Sequence, residues 1–322
     1  MIPEEIGYLE IEKVYKKLSP YIIKTPVLKN SSYLDDFFNT YLFLKLEFLQ
    51  HSGCFKVRGA INNVLNLTDS EREKGITAVS AGNHAIASSY VADKFSIKNK
   101  IFLYDIANQY RLNKIKSLNV NLFLTDPLSA FKKTEKASKE DGYYFVHPFD
   151  GKFTIQGTAS LGFEICQQIE KIDNIIISVG GGGLIAGVGS IIRQKFPQCK
   201  IIGVEPEGAK GLSDSLKNNK PLTKVNINSI ADSLCAPLHM PYSFSICKSV
   251  INEMVTVSDQ EMKKSMKFMF EHFKVALEPA CVTGIAALTG PLKNKLQNQN
   301  TLIILCGSNI DMKNWTELTR DQ

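Results

Sequence analysis

The chain has 322 residues, 44% of them hydrophobic and 22% charged, with 38 Lys and Arg against 32 Asp and Glu, a net charge of +6 at pH 7. Its length passes the size at which one core stops growing, so two lobes are expected, and its composition excludes a disordered or fibrous protein. The basic residues never run more than two together and are interleaved with acids, which excludes a nucleic-acid-binding stripe. The seven cysteines show neither C-x-x-C nor zinc spacing, which points to free thiols in a reducing, cytoplasmic setting.

Taken in chain order, the opening segment "MIPEEIGYLE" is acidic and lacks an apolar h-region, so no secretory signal is expected. Seven β-rich runs follow: "YLFLKLE" (41–47), "ITAVS" (76–80), "KIFLY" (100–104), "NVNLFL" (119–124), "NIIISV" (174–179), "KIIGVE" (200–205) and "TLIILC" (301–306). They are apolar nearly throughout, as strands covered on both faces are, and helix-like segments separate them. The fold class is therefore α/β, with mostly parallel sheet and right-handed crossovers. The uncharged stretch Ile175 to Ile192 has the length of a membrane span, but six of its eighteen residues are glycine. A buried strand, a glycine loop and a helix fit it better, so no membrane partner is expected.

In such sheets ligands bind beyond the carboxyl ends of the strands. Three strand ends carry unusual residues: "SAGNH" (80–84), "GGGGL" (180–184) and "CGSN" (306–309). Four glycines running from a strand into a helix free backbone N–H groups to converge on an anion at the positive helix end, whereas a plain turn needs one or two. Gly181 to Ala186 also satisfies G-x-G-x-x-A, and Glu205 ends the next strand where a ribose could meet it, so a nicotinamide-dependent oxidoreductase stays open as a rival. In "SAGNHA" a helix cap by Ser80 or Asn83 explains one polar residue and leaves Gly82 and His84 over, which favours a ligand loop; His84 by itself reads as structural. Cys306 by itself reads as a core thiol. In "LEPA" (277–280), opening a helix, Glu278 reads as compensation of the helix dipole. In "HSGCFKVRGA" (51–60), Lys56 stands between an aromatic and a valine-arginine pair, fenced by Gly53 and Gly59. The absence of H-E-x-x-H and G-x-S-x-G removes zinc and serine hydrolases from consideration.

Together, "LKLEFLQHSGCFKVRGA", "SAGNHA", "VHPFDGKFTIQGTASLGFEI", "SVGGGGLIAG", "VEP", "SIADSL", "LEPA" and "CGSN", in this order and spacing, resemble the fold type II pyridoxal-phosphate enzymes. Within them the chain is most similar to the serine/threonine dehydratase and serine racemase group. The likeness spans nearly the whole chain. It implies a two-domain, tryptophan synthase β-like fold, with residues 1–52 and 147–322 forming a large cofactor-binding domain and 53–146 a small one.

The same resemblance implies roles. Lys56 would bond to the aldehyde of pyridoxal 5'-phosphate, with Phe55 against its ring. Asn83 would meet the 3-hydroxyl, and Gly180, Gly181, Gly182, Gly183 and Leu184 the phosphate. Cys306 would face the pyridine nitrogen, and Glu278 would lie near the ring without acting as its acid. Ser80, Ala81, Gly82, Asn83 and His84 would receive the substrate carboxylate. A buried lysine that disfavours its ammonium form supplies the free amine such attachment needs, and once freed it can take the α-proton. A thiol opposite the pyridine nitrogen cannot hold it protonated as a carboxylate would, which favours prompt loss of a β-leaving group. Racemases of the group carry a serine before G-N-H, where this chain has Ala81, so one-sided elimination is expected.

The resemblance therefore implies an ammonia-lyase acting on L-threonine or L-serine, with racemization or 3-hydroxyaspartate dehydration as alternatives. A catalytically silent cofactor-binding protein is a third class. Departures from the group's pattern are Cys54 and Ser233, for serine and glycine, either of which would reshape the pocket, and the loop "YDIANQYRLNK", which lacks the usual prolines. Glu205 and Ala209 match two members of a divalent-cation site, but Gly211 replaces the aspartate, which argues against a metal. Nothing after Cys306 is long enough for a regulatory domain, as in catabolic-type enzymes. Relatives imply a homodimer or homotetramer, with a small amino acid as the only other partner.

Overall fold

All seven apolar runs form strands, displaced at their ends by no more than three residues, in a computed structural model that describes residues 2–29 and 32–320. In chain order the strands are β1 (Val27–Lys29), β2 (Tyr41–Lys45), β3 (Ile76–Ser80), β4 (Asn99–Tyr104), β5 (Leu122–Thr125), β6 (Tyr144–Phe145), β7 (Asn174–Ser178), β8 (Lys200–Pro206), β9 (Glu253–Val257) and β10 (Asn300–Ile304). They make two sheets, ordered β1-β2-β10-β7-β8-β9 and β5-β4-β3-β6. Every pairing is parallel except β1 with β2. The three strands that the apolar pattern missed, β1, β6 and β9, all lie at sheet edges and are largely half-buried or exposed. An edge strand lacks the continuous apolar run that marks a central one.

Three helices pack closely on one another. Every residue from Thr154 to Cys166 of helix Lys152–Cys166 is buried. A Cβ on Gly157 would lie 2.4 Å from the Gly59 Cα in helix Lys56–Leu65, and one on Gly187 of helix Gly183–Lys195 would lie 2.1 Å from Thr158 Oγ1. Only glycine permits backbones this close.

Helix Lys56–Leu65 is also held by charge. Arg58 donates through Nε and Nη2 to both Glu47 oxygens, at 2.9 and 2.7 Å, and through Nη2 to Glu164 at 3.1 Å. Lys45 Nζ reaches Glu164 at 2.6 Å. All four side chains are fully buried, and two cations balance two carboxylates. Such a cluster survives burial because its members neutralise one another, which ties β2, Lys56's helix and helix Lys152–Cys166 into one frame.

The order of the large sheet decides where distant segments meet. β10 lies between β2 and β7, parallel to both, so the segments after all three strands emerge at the same edge. The "CGSN", glycine-loop and Lys56 segments therefore converge, although up to 250 residues separate Lys56 from Cys306.

Candidate functional site

After β2 the chain makes two tight turns with Ser52 and Gly53 at φ 65° and 74°, then bonds back to the segment after β10. Phe55 N donates to the Cys306 carbonyl at 3.0 Å, and Ser308 N to that of Gly53 at 2.9 Å. Lys56 opens its helix from this anchored point, so its position is set by the sheet. Its Nζ donates to the Pro148 carbonyl at 2.5 Å and lies 5.0 Å from the Phe55 ring centroid. Burial pulls its pKa down to about 8, against the weaker opposing influence of Cys54 and Cys306. A side chain of this kind is a nucleophile near neutral pH.

Lys56 faces a cleft lined also by Phe55, Asn83, Gly180 to Leu184, Ser233, Glu278 and Cys306. Gly182 has φ 92° and caps helix Gly183–Lys195, turning the chain so that the N–H groups of the first helical turn are directed outward. The other glycines are fixed by crowding: a Cβ on Gly181 would stand 2.2 Å from the Phe149 ring, one on Gly183 2.6 Å from the Phe149 carbonyl, and one on Gly180 2.9 Å from Leu234 Cα. A turn would tolerate one or two larger residues here, whereas all four positions exclude them. This is the geometry of an anion cradle.

The loop after β3 closes the other side. Ser80, Ala81, Gly82, Asn83 and His84 line an adjoining cleft shared with Lys56. The Ser80 hydroxyl accepts from Gly82 N at 3.0 Å, within the loop itself. His84 Nε2 pairs with the Val146 carbonyl at 2.7 Å, and burial, followed by the nearby Lys56 charge, lowers its pKa to about 3. It is a neutral, satisfied histidine, as its isolated reading had it.

Asn83 and Glu278 form a network that no local motif announces. Asn83 Nδ2 donates to Glu278 Oε1 at 2.6 Å and Ser233 Oγ at 3.1 Å, while its Oδ1 accepts from Asn309 Nδ2 at 2.7 Å. Glu278 Oε2 accepts from Asn309 N at 2.9 Å and has the Arg111 guanidinium at 3.5 Å. Glu278 therefore does not compensate a helix dipole: it is buried, "LEPA" opens only a short 3-10 turn, and the α-helix starts at Thr283. Arg111 also pairs with Asp232 at 2.5 Å and presses on Gly82, where a Cβ would meet its Nη1 at 2.6 Å. Asp232 and Asn309 lay inside quoted motifs, but Arg111 lies in the stretch that read only as a loop lacking prolines, whose second half is in fact part of the helix Gln109–Lys116. Only the folded chain brings it to the site.

Two sequence departures separate here. Ser233 lines the clefts and joins the Asn83 network. Cys54 does not line them: it packs against Gly307, its thiol approaches the Asn83 carbonyl at 3.7 Å, and burial raises its pKa to about 11. Its substitution cannot reshape the pocket wall directly.

Glu205 is likewise committed elsewhere. Its carboxylate accepts from Leu212 N at 2.7 Å and from the N and Oγ of Ser213 at 2.9 and 2.6 Å, capping a short helix, and burial raises its pKa to about 7. It is turned away from any ribose beside Gly181, so the oxidoreductase rival loses its acidic residue. An aspartate at Gly211 would collide with His239 Nε2, only 2.7 Å from its Cβ. Among the described residues no three His, Cys, Asp or Glu side chains are grouped as metal ligands, around Glu205 and Ala209 or elsewhere.

A phosphorylated aromatic aldehyde fits the first cleft. The cradle would take its phosphate, Lys56 stands within the same walls, and Cys306, 3.9 Å from the Ala280 carbonyl, closes the far wall. Comparison with known proteins agrees. A family model described as "Pyridoxal-phosphate dependent enzyme" matches residues 18–307. A phenylserine dehydratase of Ralstonia pickettii is 39% identical over 92% of this chain and 90% of its own. A catabolic L-threonine dehydratase of Staphylococcus aureus is 33% identical over 94% of this chain and 89% of its own. Among solved structures, maize serine racemase superposes with a TM-score of 0.88 at 29% identity, covering 96% of each chain. Threonine deaminase isoform 2 of Solanum lycopersicum gives 0.89 at 29% identity, covering 97% of this chain and 92% of that one. No helix among the described residues is long and apolar enough to cross a membrane.

Proposed function

Because the chain belongs to the family of pyridoxal-phosphate dependent enzymes, we propose that it is an ammonia-lyase that removes water from a β-hydroxy α-amino acid such as L-threonine or L-serine, giving a 2-oxo acid and ammonia. The observation that carries this reading is that Lys56 shares one cleft with the glycine cradle and Cys306, and another with the loop Ser80 to His84. When bound, the cofactor supplies an electron sink for the pair released as the α-proton leaves.

The chain's own residues do the rest. Gly180 to Leu184 would hold the phosphate through backbone N–H groups, and Phe55, Cys306 and Asn83, the last oriented by Glu278 and Asn309, would hold the ring. Ser80 to His84 receive the substrate carboxylate. Lys56, whose amine is lowered to about 8, is neutral in roughly a tenth of molecules at pH 7 and takes the α-proton on its Nζ. The β-hydroxyl leaves as water with that proton, giving an enamine, which takes a proton at Cβ, adds one water at Cα and releases ammonia. Ala81 lines this cleft and carries no proton, which supports one-sided chemistry over racemization. We further propose residues 53–146 as the smaller domain, a homodimer or homotetramer, and a cytoplasmic location.

Purified protein should show a visible band that borohydride removes, leaving the cofactor's mass on the Lys56 peptide, and should release ammonia from β-hydroxy amino acids. No such adduct would overturn the cofactor assignment of Lys56, and an adduct without ammonia release would leave a silent binder. The rate of attachment to the apoprotein should rise about tenfold per pH unit and level off near pH 8, the value set by burial. Stopped-flow mixing with pyridoxal phosphate measures this; a rate still rising near pH 10 would mean an unperturbed lysine.

A further inference from the structure

The cleft at Lys56 has a second end, and its chemistry differs from the first. Beyond Ser80, Asn83 and Ser233, its walls are Tyr104 at the end of β4, Phe131 of helix Pro127–Lys139, Val79 and Pro237, with Phe149 shared with the glycine cradle of the first cleft. Phe131 and Phe149 are linked through the ring of His147 behind the wall. Phe149 meets His147 edge-on at 4.6 Å between centroids, and Phe131 stands 6.3 Å from His147 and 6.5 Å, also edge-on, from Phe145. His147 adds no charge: its Nδ1 accepts from Asp150 N at 2.9 Å, and burial lowers its pKa to about 3.

Charge is missing where a small polar substrate would want it. Among the described residues lining this cleft, Lys56 is the one cationic side chain, and the one carboxylate, Asp232, is paired with Arg111. A β-carboxylate, as in 3-hydroxyaspartate, would find no cation beyond Lys56 and would face Asp232. The β-hydrogen of serine or the methyl of threonine would leave the aromatic end to water. A ring there would be buried among Tyr104, Phe131 and Phe149.

We propose that this end of the cleft receives the β-substituent and selects β-aryl β-hydroxy α-amino acids, with Phe131 and Tyr104 as the specificity-determining residues. This rests on the dehydratase reading above and names its substrate class. The bonds are those of that reaction: Cα–H and Cβ–O break, water leaves, one water returns on hydrolysis, and an aryl 2-oxo acid and ammonia form.

The holoenzyme tests it in two ways. In turnover, kcat/KM for phenylserine should exceed that for L-threonine at least about 10²-fold, since each methylene's worth of apolar contact discriminates roughly 10-fold or more. In Phe131→Ala the ratio of the two values should fall at least about tenfold, and Phe131→Leu should restore part of it. In binding, measured by the change in the cofactor's absorption, L-phenylalanine, which has no leaving group, should bind at least about tenfold more tightly than L-2-aminobutyrate. Faster turnover of threonine, or an equal loss on both substrates in Phe131→Ala, overturns the aryl assignment while the lyase stands. Tight phenylalanine binding without ammonia release from any substrate supports the aryl pocket and overturns the lyase reading. Equal binding of the two analogues overturns the pocket itself.

Discussion

Lys56→Ala is expected to lower kcat/KM for β-hydroxy amino acids by at least about 10⁴-fold while leaving the fold intact. The loss combines the attachment point and the proton acceptor, and removing general-base action alone is worth about 10²- to 10⁴-fold. Stability should hardly change. The side chain makes one hydrogen bond, to the Pro148 carbonyl, worth about 1 kcal/mol net. Against that, its pKa is held down to about 8 by burial, so below that pH the fold carries the ammonium at a cost that alanine removes. Activity, borohydride fixation and thermal unfolding on one preparation check this. A variant that retains activity, or one that unfolds with its activity, would refute a chemical role for this amine.

Arg58→Ala should have the opposite signature, a loss of about 3–5 kcal/mol of stability, because it leaves two buried carboxylates, Glu47 and Glu164, with Lys45 alone. The double variant Arg58→Met with Glu47→Leu keeps the count balanced, since Lys45 then faces only Glu164, and should recover most of that loss. Thr25 Oγ1 would lose Glu47 but retains Glu164 at 3.3 Å. Urea unfolding of the single and double variants measures both, and a single-variant loss below about 1 kcal/mol would show the cluster to be dispensable. The same cluster sets acid sensitivity. Burial alone would raise the pKa of Glu47, but Arg58 more than reverses this and holds it below 4.5. Its contribution is present above that value and is lost as pH falls through the lower folded pKa.

The two variants separate chemistry from frame, although Lys56 and Arg58 are two residues apart on one helix. Lys56 projects into the cleft, and Arg58, around the helix, points into the packed layer with Glu47 and Glu164. A helix turns about 100° per residue, so neighbours at this spacing face nearly opposite sides.

Much of the site was legible because its parts are local. A four-glycine turn between a buried strand and a helix, or an S-A-G-N-H run at another strand end, needs no tertiary contact to look unusual. The network around Asn83 was not legible. Arg111, Asp232, Glu278 and Asn309 come from four separate segments, each polar residue ordinary in its own surroundings, and Glu278 beside a proline looked like a helix-start carboxylate. Cys54 misled in the other direction. Its break from the family pattern implied a reshaped pocket as much as that of Ser233 did, yet its side chain packs on Gly307, and Ser233 is the departure that faces the cleft.

What the amino-acid order settled alone was the α/β class, the central strands and the resemblance to pyridoxal-phosphate enzymes, because continuous apolar runs and glycine turns are properties of neighbouring residues. Strand order is a property of the whole chain. Placing β10 between β2 and β7 brought Cys306, the glycine loop and Lys56 to one edge. Packing across the cleft then set Tyr104, Phe131 and Phe149 around a single space, where their chemistry bears on the substrate.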